Sequence, residues 1–132
     1  IELALIRARL ASGEEPDYDP DSLAKYLTAN EFCVYDGQIK RYIGEIMAYQ
    51  GDLREAQYWL EQAAAAHRKN KMRFHLAGDN VIRSTVCLRL DDSRAAREYM
   101  ICAIDIFREC GADDCGADEW VEKYEKELAT HF

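Results

Sequence analysis

Five cysteines and three histidines are the side chains in this sequence most able to bind metals or act as nucleophiles. The number of cysteines is odd, and no two have the CxxC spacing of a zinc or redox site. We expect Cys87 and Cys102 to be buried on apolar helix faces as small hydrophobic side chains. Cys110 and Cys115 flank a loop and would form a disulfide only under oxidising conditions, whereas Cys33 has no evident partner.

The segment HRKNKMRFH, residues 67–75, places four basic residues and two histidines in an acidic chain. It could bind an acidic partner. The simpler interpretation is that His67, Arg68 and Lys69 end a helix, where positive charge interacts favourably with the helix dipole. A turn is expected between His67 and His75, so the two imidazoles are not predicted to form a metal-binding pair.

The acidic segment EEPDYDPD, residues 14–21, contains five carboxylates. Asp17, Asp19 and Asp21 alternate as calcium ligands do, but the sharp-turn glycine of a calcium loop is missing. We therefore expect a solvated loop between helices.

The sequence contains no motif typical of an enzyme. It has no phosphate-binding loop, GxSxG, HExxH or cysteine–histidine signature, and no ExxH pair of the kind that holds a di-iron centre. We expect no catalytic activity, no cofactor and no metal.

Length and charge restrict the possible partners. A chain of 132 residues with net charge −8 can bury one core and repels nucleic-acid phosphates. No apolar run reaches the roughly 20 residues that span a bilayer, and no signal peptide is recognisable. Because the chain starts at Ile1 rather than methionine, we expect it to be part of a longer cytoplasmic protein.

Apolar periodicity predicts seven helices and no strand. The predicted ranges are 1–12, 20–35, 38–50, 52–70, 93–110, 117–130 and one helix that begins between residues 72 and 77 and ends at residue 90. Gly13 and Gly51 are expected to end helices, and YDG to break the chain at Gly37. Asp52 and Glu55 form a D-x-x-E capping pattern.

Shifting the chain so that residue 52 meets residue 92 superimposes side chains of similar size, as in a stacked helical array. The matching pairs are Asp52 and Asp92, Ala56 and Ala96, Trp59 and Tyr99, Leu60 and Met100, Ala63 and Ala103, and Gly44 and Ser84. Two helices approach closely only where small side chains meet. We therefore expect Gly44 to face Ala56 in one hairpin and Ser84 to face Ala96 in the next.

The stretch RYIGEIMAYQGDLREAQYWLEQAAA, residues 41–65, resembles a tetratricopeptide repeat. The matching residues are Ile43, Gly44, Met47, Gly51, Asp52, Ala56, Leu60 and Ala63. In the second copy Arg83 stands where Ile43 stands, and Asp91 replaces the turn glycine. The period is longer than the usual one of this family and resembles that of the long-repeat variants found in bacterial regulators and signalling ATPases.

The resemblance implies an all-α fold, a right-handed α-solenoid of about three antiparallel helical hairpins plus a C-terminal capping helix. Residues 1–132 would form one domain. An irregular first hairpin would cover 1–36, the second 37–70, the third 72–110, and the capping helix 116–130.

The resemblance also implies a concave groove that binds a peptide or helix of another protein. The residues that would face this groove are Gln38, Arg41, Glu45, Tyr49, Val81, Thr85, Leu88 and Arg89, with Arg7 from the first helix. Arg41 and Arg89 could clamp a carboxylate, and Tyr49 could add an amphipathic contact. Alternatively these side chains are ordinary solvated surface, or the capping helix fills the groove.

We expect a protein–protein interaction module within a larger cytoplasmic signalling or transcription regulator. Its partner would be a protein or peptide, and neither nucleic acid nor a membrane. The alternative is a homo-oligomerisation domain in which an exposed hydrophobic end pairs with a second copy, giving a possible homodimer.

Overall fold

The computed structural model describes residues 2–14, 35–110 and 117–131, and all regular structure in these residues is helical. The helices are α1 Glu2–Ala11, α2 Asp36–Tyr49, α3 Leu53–Lys69, α4 Arg73–Arg89, α5 Ser93–Cys110 and α6 Ala117–His131. The predicted all-α class is confirmed for these residues, and α3 to α6 lie close to their predicted bounds. The predicted helix 20–35, Cys33, Cys115 and the acidic loop beyond Glu14 fall outside the described residues. None of the described helices is both long and apolar enough to cross a bilayer.

Helix α2 starts two residues earlier than predicted, and Gly37 lies inside it. The Ile39 amide donates to the Tyr35 carbonyl at 2.9 Å, which closes the first turn. The Lys40 ammonium donates to the Asp36 carboxylate at 2.8 Å one turn away. The prediction of a break at Gly37 is wrong because an acidic first turn and its ion pair offset the roughly 1 kcal/mol cost of a helical glycine.

Helices α1 to α4 all end in the same type of turn, the Schellman motif. The second residue after each helix end has a positive φ, namely Gly13 (86°), Gly51 (84°), Lys71 (58°) and Asp91 (60°). In each turn this residue's amide bonds to the carbonyl three residues back, and the next amide bonds to the carbonyl five residues back. These bonds satisfy carbonyls that the end of a helix would otherwise leave unpaired.

The turns at 51, 71 and 91 follow one another at equal intervals along the chain. Only the first of these turns has a glycine at its left-handed position, whereas the other two have Lys71 and Asp91 there. Aspartate enters the left-handed region more readily than most residues, and lysine does so at a cost of about 1–2 kcal/mol. The regular turn therefore depends on packing of the helices as well as on local preference.

Aspartates cap two of the helices that follow these turns. The Asp52 carboxylate accepts the Glu55 amide at 3.4 Å, and the Asp92 carboxylate accepts the Ala95 amide at 3.1 Å. The predicted cap at Asp52 is confirmed. The reciprocal half of a capping box is not needed there, because the Asp52 amide already donates to the Met47 carbonyl at 2.9 Å.

Internal contacts divide the chain into two compact units, Ile1–Ala66 and His67–Phe132. In the first, the N-terminal unit, α1 packs against α2. Its core is a buried cluster of isoleucines surrounded by larger, partly buried side chains. The cluster consists of Ile39, Ile43 and Ile46, with Leu10, Tyr42, Met47 and Trp59 packed against it.

Helices α2 and α3 touch where the sequence predicts small residues. A methyl group on Gly44 would lie 2.8 Å from Cγ of Leu60, so only glycine fits there without a shift. Ala56 and Leu60 have no exposed surface. The burial predicted for Ala56 is confirmed, although the side chain that fills the space at Gly44 belongs to Leu60.

In the second, the C-terminal unit, α5 packs against both α4 and α6. The Ser84 hydroxyl donates to the Ala96 carbonyl at 2.6 Å, and Ala96 is fully buried. The predicted Ser84–Ala96 contact is therefore confirmed. At the far end of α5, the Phe107 ring stacks on Tyr124 of α6, with ring centroids 5.8 Å apart.

Candidate functional site

The residues predicted to face a groove from α2 are partly engaged within the N-terminal unit. Glu45 is only 9% exposed and lies 3.4 Å from the Arg7 guanidinium and 4.0 Å from that of Arg41. Tyr49 is half exposed, and Gln38 is partly buried. The Arg41 guanidinium thus already lies near the Glu45 carboxylate of its own helix. A ligand carboxylate that binds Arg41 would have to compete with Glu45.

The corresponding residues on α4 belong to the C-terminal unit. Thr85 is exposed, but its hydroxyl donates to the Val81 carbonyl at 3.1 Å. Val81 and Leu88 are partly buried, and Arg89 is exposed. A groove shared by the α2 and α4 residues stays a prediction.

A buried histidine–aspartate pair lies where α3 ends and α4 begins. His67 is 1% exposed and Asp79 is fully buried, and His67 Nδ1 donates to an Asp79 carboxylate oxygen. His67 Nε2 is also buried and has no hydrogen-bond partner among the described residues. The prediction that His67, Arg68 and Lys69 lie in the last turn of a helix is confirmed, but the His67 ring is buried against Asp79 rather than exposed like its two neighbours.

His75 lies beside this pair. Its ring centroid is 5.2 Å from that of His67, so the turn expected between the two histidines brings their rings close together. The turn at Lys71 brings the first turn of α4 back against the last turn of α3. Within the described part of the chain, no group of three or more histidine, cysteine or acidic side chains could hold a metal ion.

A second polar cluster connects α4 to α5. The Arg83 guanidinium donates to the Tyr99 hydroxyl at 2.8 Å and to the Asn80 amide oxygen at 3.3 Å. Its central carbon also lies 4.1 Å from the centre of the Tyr99 ring, a cation–π contact. The Asn80 amide in turn donates to the Cys102 sulfur at 3.5 Å.

The repeat contains a signal for both clusters, of which the sequence analysis noted only Arg83 at the position of Ile43 and Tyr99 at that of Trp59. Polar residues of the C-terminal unit occupy the positions of hydrophobic ones elsewhere. The pairs are Asp79 with Ile39, Arg83 with Ile43, Tyr99 with Trp59, and His67 with Phe107. When two core positions both carry polar residues, a hydrogen bond between them leaves neither side chain buried without a partner.

An open cleft of about 480 Å³ lies along α5 in the C-terminal unit. Its lining residues are Arg68, Arg73, Leu76, Glu98, Ile101, Cys102, Asp105, Ile106 and Glu109. Leu76 and Ile106 are both 5% exposed and form an apolar floor, and Ile101 beside them is 37% exposed. Cys102 is exposed as well, so its predicted burial is wrong, whereas the predicted burial of Cys87 is confirmed.

Charged side chains surround this apolar floor. Each acidic lining residue has a basic partner in the ion pairs Arg73–Glu109, Arg94–Glu98 and Arg108–Asp105. Arg68 is the lining cation with no acidic partner among the described residues. The cleft therefore has an apolar floor, ion-paired acidic side chains along α5 and one unpaired arginine, Arg68, in its lining.

An apolar floor with a charged rim resembles the centre and edge of a protein interface. Comparison of this chain with protein families, curated proteins and solved structures finds no match.

Proposed function

We propose that this chain is a protein–protein interaction module that binds a peptide or helix of another protein. We further propose that it belongs to a larger cytoplasmic signalling or transcription regulator and catalyses no reaction itself. The observation that carries the proposal is the cleft along α5, which combines a buried apolar floor with exposed Ile101 at its edge.

The size and make-up of the cleft support this role. Its volume of about 480 Å³ is in the usual range for sites that bury a few side chains of a ligand. An apolar anchor that enters such a cleft removes its own surface and that of Ile101 from water. The charged rim then fixes orientation and excludes mismatched partners.

The regular turns and the buried alanines support a tetratricopeptide-like repeat within the proposal. Ala56 and Ala96 occupy equivalent positions of the two copies, both are fully buried, and each follows an aspartate-capped turn. Stacked hairpins of this kind form a right-handed solenoid, whose function is commonly to present surfaces to other proteins. The predicted groove residues on α2 and α4 remain a second candidate surface in this arrangement.

Exposed tyrosines in the N-terminal unit favour a second candidate function, self-association. Tyr35, Tyr49 and Tyr58 are 67%, 50% and 53% exposed. Tyrosine is enriched at interfaces because its ring adds apolar contact area and its hydroxyl still reaches a polar partner. A homodimer would use these rings, and light scattering over a range of protein concentrations would detect it.

Site-specific photo-crosslinking tests the proposed function. A photoreactive phenylalanine analogue is placed at Ile101 in the cleft and, as a control, at exposed Arg54 in the first turn of α3. Adducts to a different protein from Ile101 but not from Arg54 are expected in cells that express the parent protein. Adducts only of dimer mass would favour self-association, and no adduct at all would contradict an interaction through the cleft.

A further inference from the structure

We propose that the cleft along α5 binds an acidic peptide segment with an apolar anchor side chain. The inference rests on the proposed function and adds the chemistry of the partner. It follows from the apolar floor of the cleft and the unpaired Arg68 in its lining, next to which the exposed Lys69 and Lys71 lie in the sequence.

The floor sets the need for an apolar anchor. Leu76 from α4 and Ile106 from α5 close its base, and Ile101 stands at its edge, partly open to water. Burying a leucine-sized side chain against such a floor stabilises a complex, at roughly 25 cal/mol for each Å² removed from water. A peptide without a large apolar residue would leave this surface wet.

Unpaired positive charge selects the sign of the peptide. Arg68 lines the cleft, and Lys69 and Lys71 follow it on the exposed surface. None of the three has an acidic partner in the part of the chain that the structure describes, although the protein carries a net charge of −8. The cleft's three acidic side chains pair with Arg73, Arg94 and Arg108, and Arg108 also pairs with Glu125, so the unpaired charges offered to a partner in this region are those of Arg68, Lys69 and Lys71.

The planar guanidinium of Arg68 can bind both oxygens of a carboxylate at once, and the two lysines can attract further acidic side chains. The negative end of the α3 dipole stabilises these cations in the free protein, but it leaves their hydrogen-bond donors available. A long polyanion such as a nucleic acid would be repelled by the rest of this acidic chain. A short segment with a few acids beside an apolar residue fits both the local and the overall charge.

The buried His67 sharpens this assignment. Because its ring points into the core toward Asp79, it adds no donor to the surface formed by its neighbours. The positive surface therefore consists of Arg68, Lys69 and Lys71, which are all exposed. The carboxylates of a bound peptide would meet guanidinium and ammonium groups there rather than an imidazole.

A random peptide library displayed on phage and selected against the whole chain tests the inference. Enrichment of peptides that combine aspartate or glutamate with a nearby leucine, isoleucine or phenylalanine is expected. Enrichment of basic or uncharged peptides would overturn the inference and leave the proposed function intact. No enrichment would also overturn it, and the crosslinking experiment would then decide the proposed function separately.

Substitutions of charged and apolar residues in the cleft test whether the selected peptides bind there. By fluorescence anisotropy, Arg68→Glu should weaken binding of an enriched peptide roughly tenfold, and Ile101→Ser should do so to a similar extent. The matched controls Arg54→Glu and Tyr58→Ser change exposed residues that do not line the cleft and should leave affinity within about twofold. Acidic peptides whose affinity is unchanged by Arg68→Glu and Ile101→Ser would contradict docking in this cleft.

Discussion

Helices α2 and α3 and helices α4 and α5 form two hairpins with the same turn, the same aspartate cap and the same buried alanine, but with different interiors. The first hairpin is built around Ile39, Ile43 and Ile46. At the positions of the first two, the second hairpin has Asp79 and Arg83. One framework therefore accommodates only apolar residues at these positions in the first hairpin and polar ones in the second, whose other buried residues include Leu76, Val86 and Met100.

The comparison shows what each interior depends on. The apolar hairpin depends on shape, because a methyl group at Gly44 would clash with Leu60. The polar hairpin depends on matched partners, because Asp79 is stabilised by His67 and would be costly alone. Substitutions that remove one partner should therefore affect the second hairpin most.

The largest effect is expected for Asp79→Leu. The substitution leaves the buried His67 ring without its hydrogen-bond acceptor, which should cost about 3 kcal/mol of unfolding free energy. Urea denaturation followed by circular dichroism measures the loss. Ile39→Val at the equivalent position of the apolar hairpin is the control and should cost only about 1 kcal/mol. Equal losses at the two positions would contradict the contrast.

Ala56→Leu and Ala96→Leu should each cost about 1–3 kcal/mol, because both alanines are fully buried and a larger side chain overpacks the helix contact. Thermal melts compare them with Ala65→Leu, which changes an exposed alanine of α3. A neutral result at either buried position would show that the two hairpins do not share this packing.

Gly44→Ala and Ser84→Ala, each at a contact between two helices, should destabilise the protein for different reasons. Gly44→Ala introduces a clash with Leu60, whereas Ser84→Ala removes a hydrogen bond to the Ala96 carbonyl. Each should cost about 1 kcal/mol. Reducing Leu60 to alanine should relieve the clash in a Gly44→Ala double variant, whose cost should then fall below the sum of the two singles. Additive costs would argue against close contact at this point.

The smallest effects should come from the turns. Lys71→Gly and Asp91→Gly remove side chains from left-handed positions and should stabilise the protein by about 0.5–1 kcal/mol. Gly51→Ala should destabilise it by a similar amount for the same reason. Chemical denaturation of the three variants would test this, and destabilisation by Asp91→Gly would indicate that the aspartate has a further role.

Much of the helical framework could be predicted from residue spacing. The first hairpin was predicted from Gly51, Asp52 and the alanines of its second helix. The repeat extended this prediction to the second hairpin. The prediction of a break at Gly37 was wrong because the free-energy cost of a glycine within a helix is offset there by the neighbouring Asp36–Lys40 ion pair.

The candidate site was much less predictable. Cys102 lies on an apolar stripe of α5, and periodicity alone does not tell whether a neighbouring helix covers that stripe or leaves it open as a cleft. His67 resembled an ordinary residue at a helix end, because the residue that pairs with it, Asp79, lies on the next helix. Sequence spacing predicts which face a residue occupies, but not which partner meets it there.

His67 and Asp79 occupy hydrophobic positions of a shared framework and are tolerated because they pair. The most direct test is the unfolding free energy of the double variant His67→Phe/Asp79→Leu, compared with the two single variants. We expect the double variant to recover most of the stability lost in Asp79→Leu, because both positions then carry hydrophobic side chains like those of Phe107 and Ile39. A double variant that loses the sum of the two single effects would contradict it.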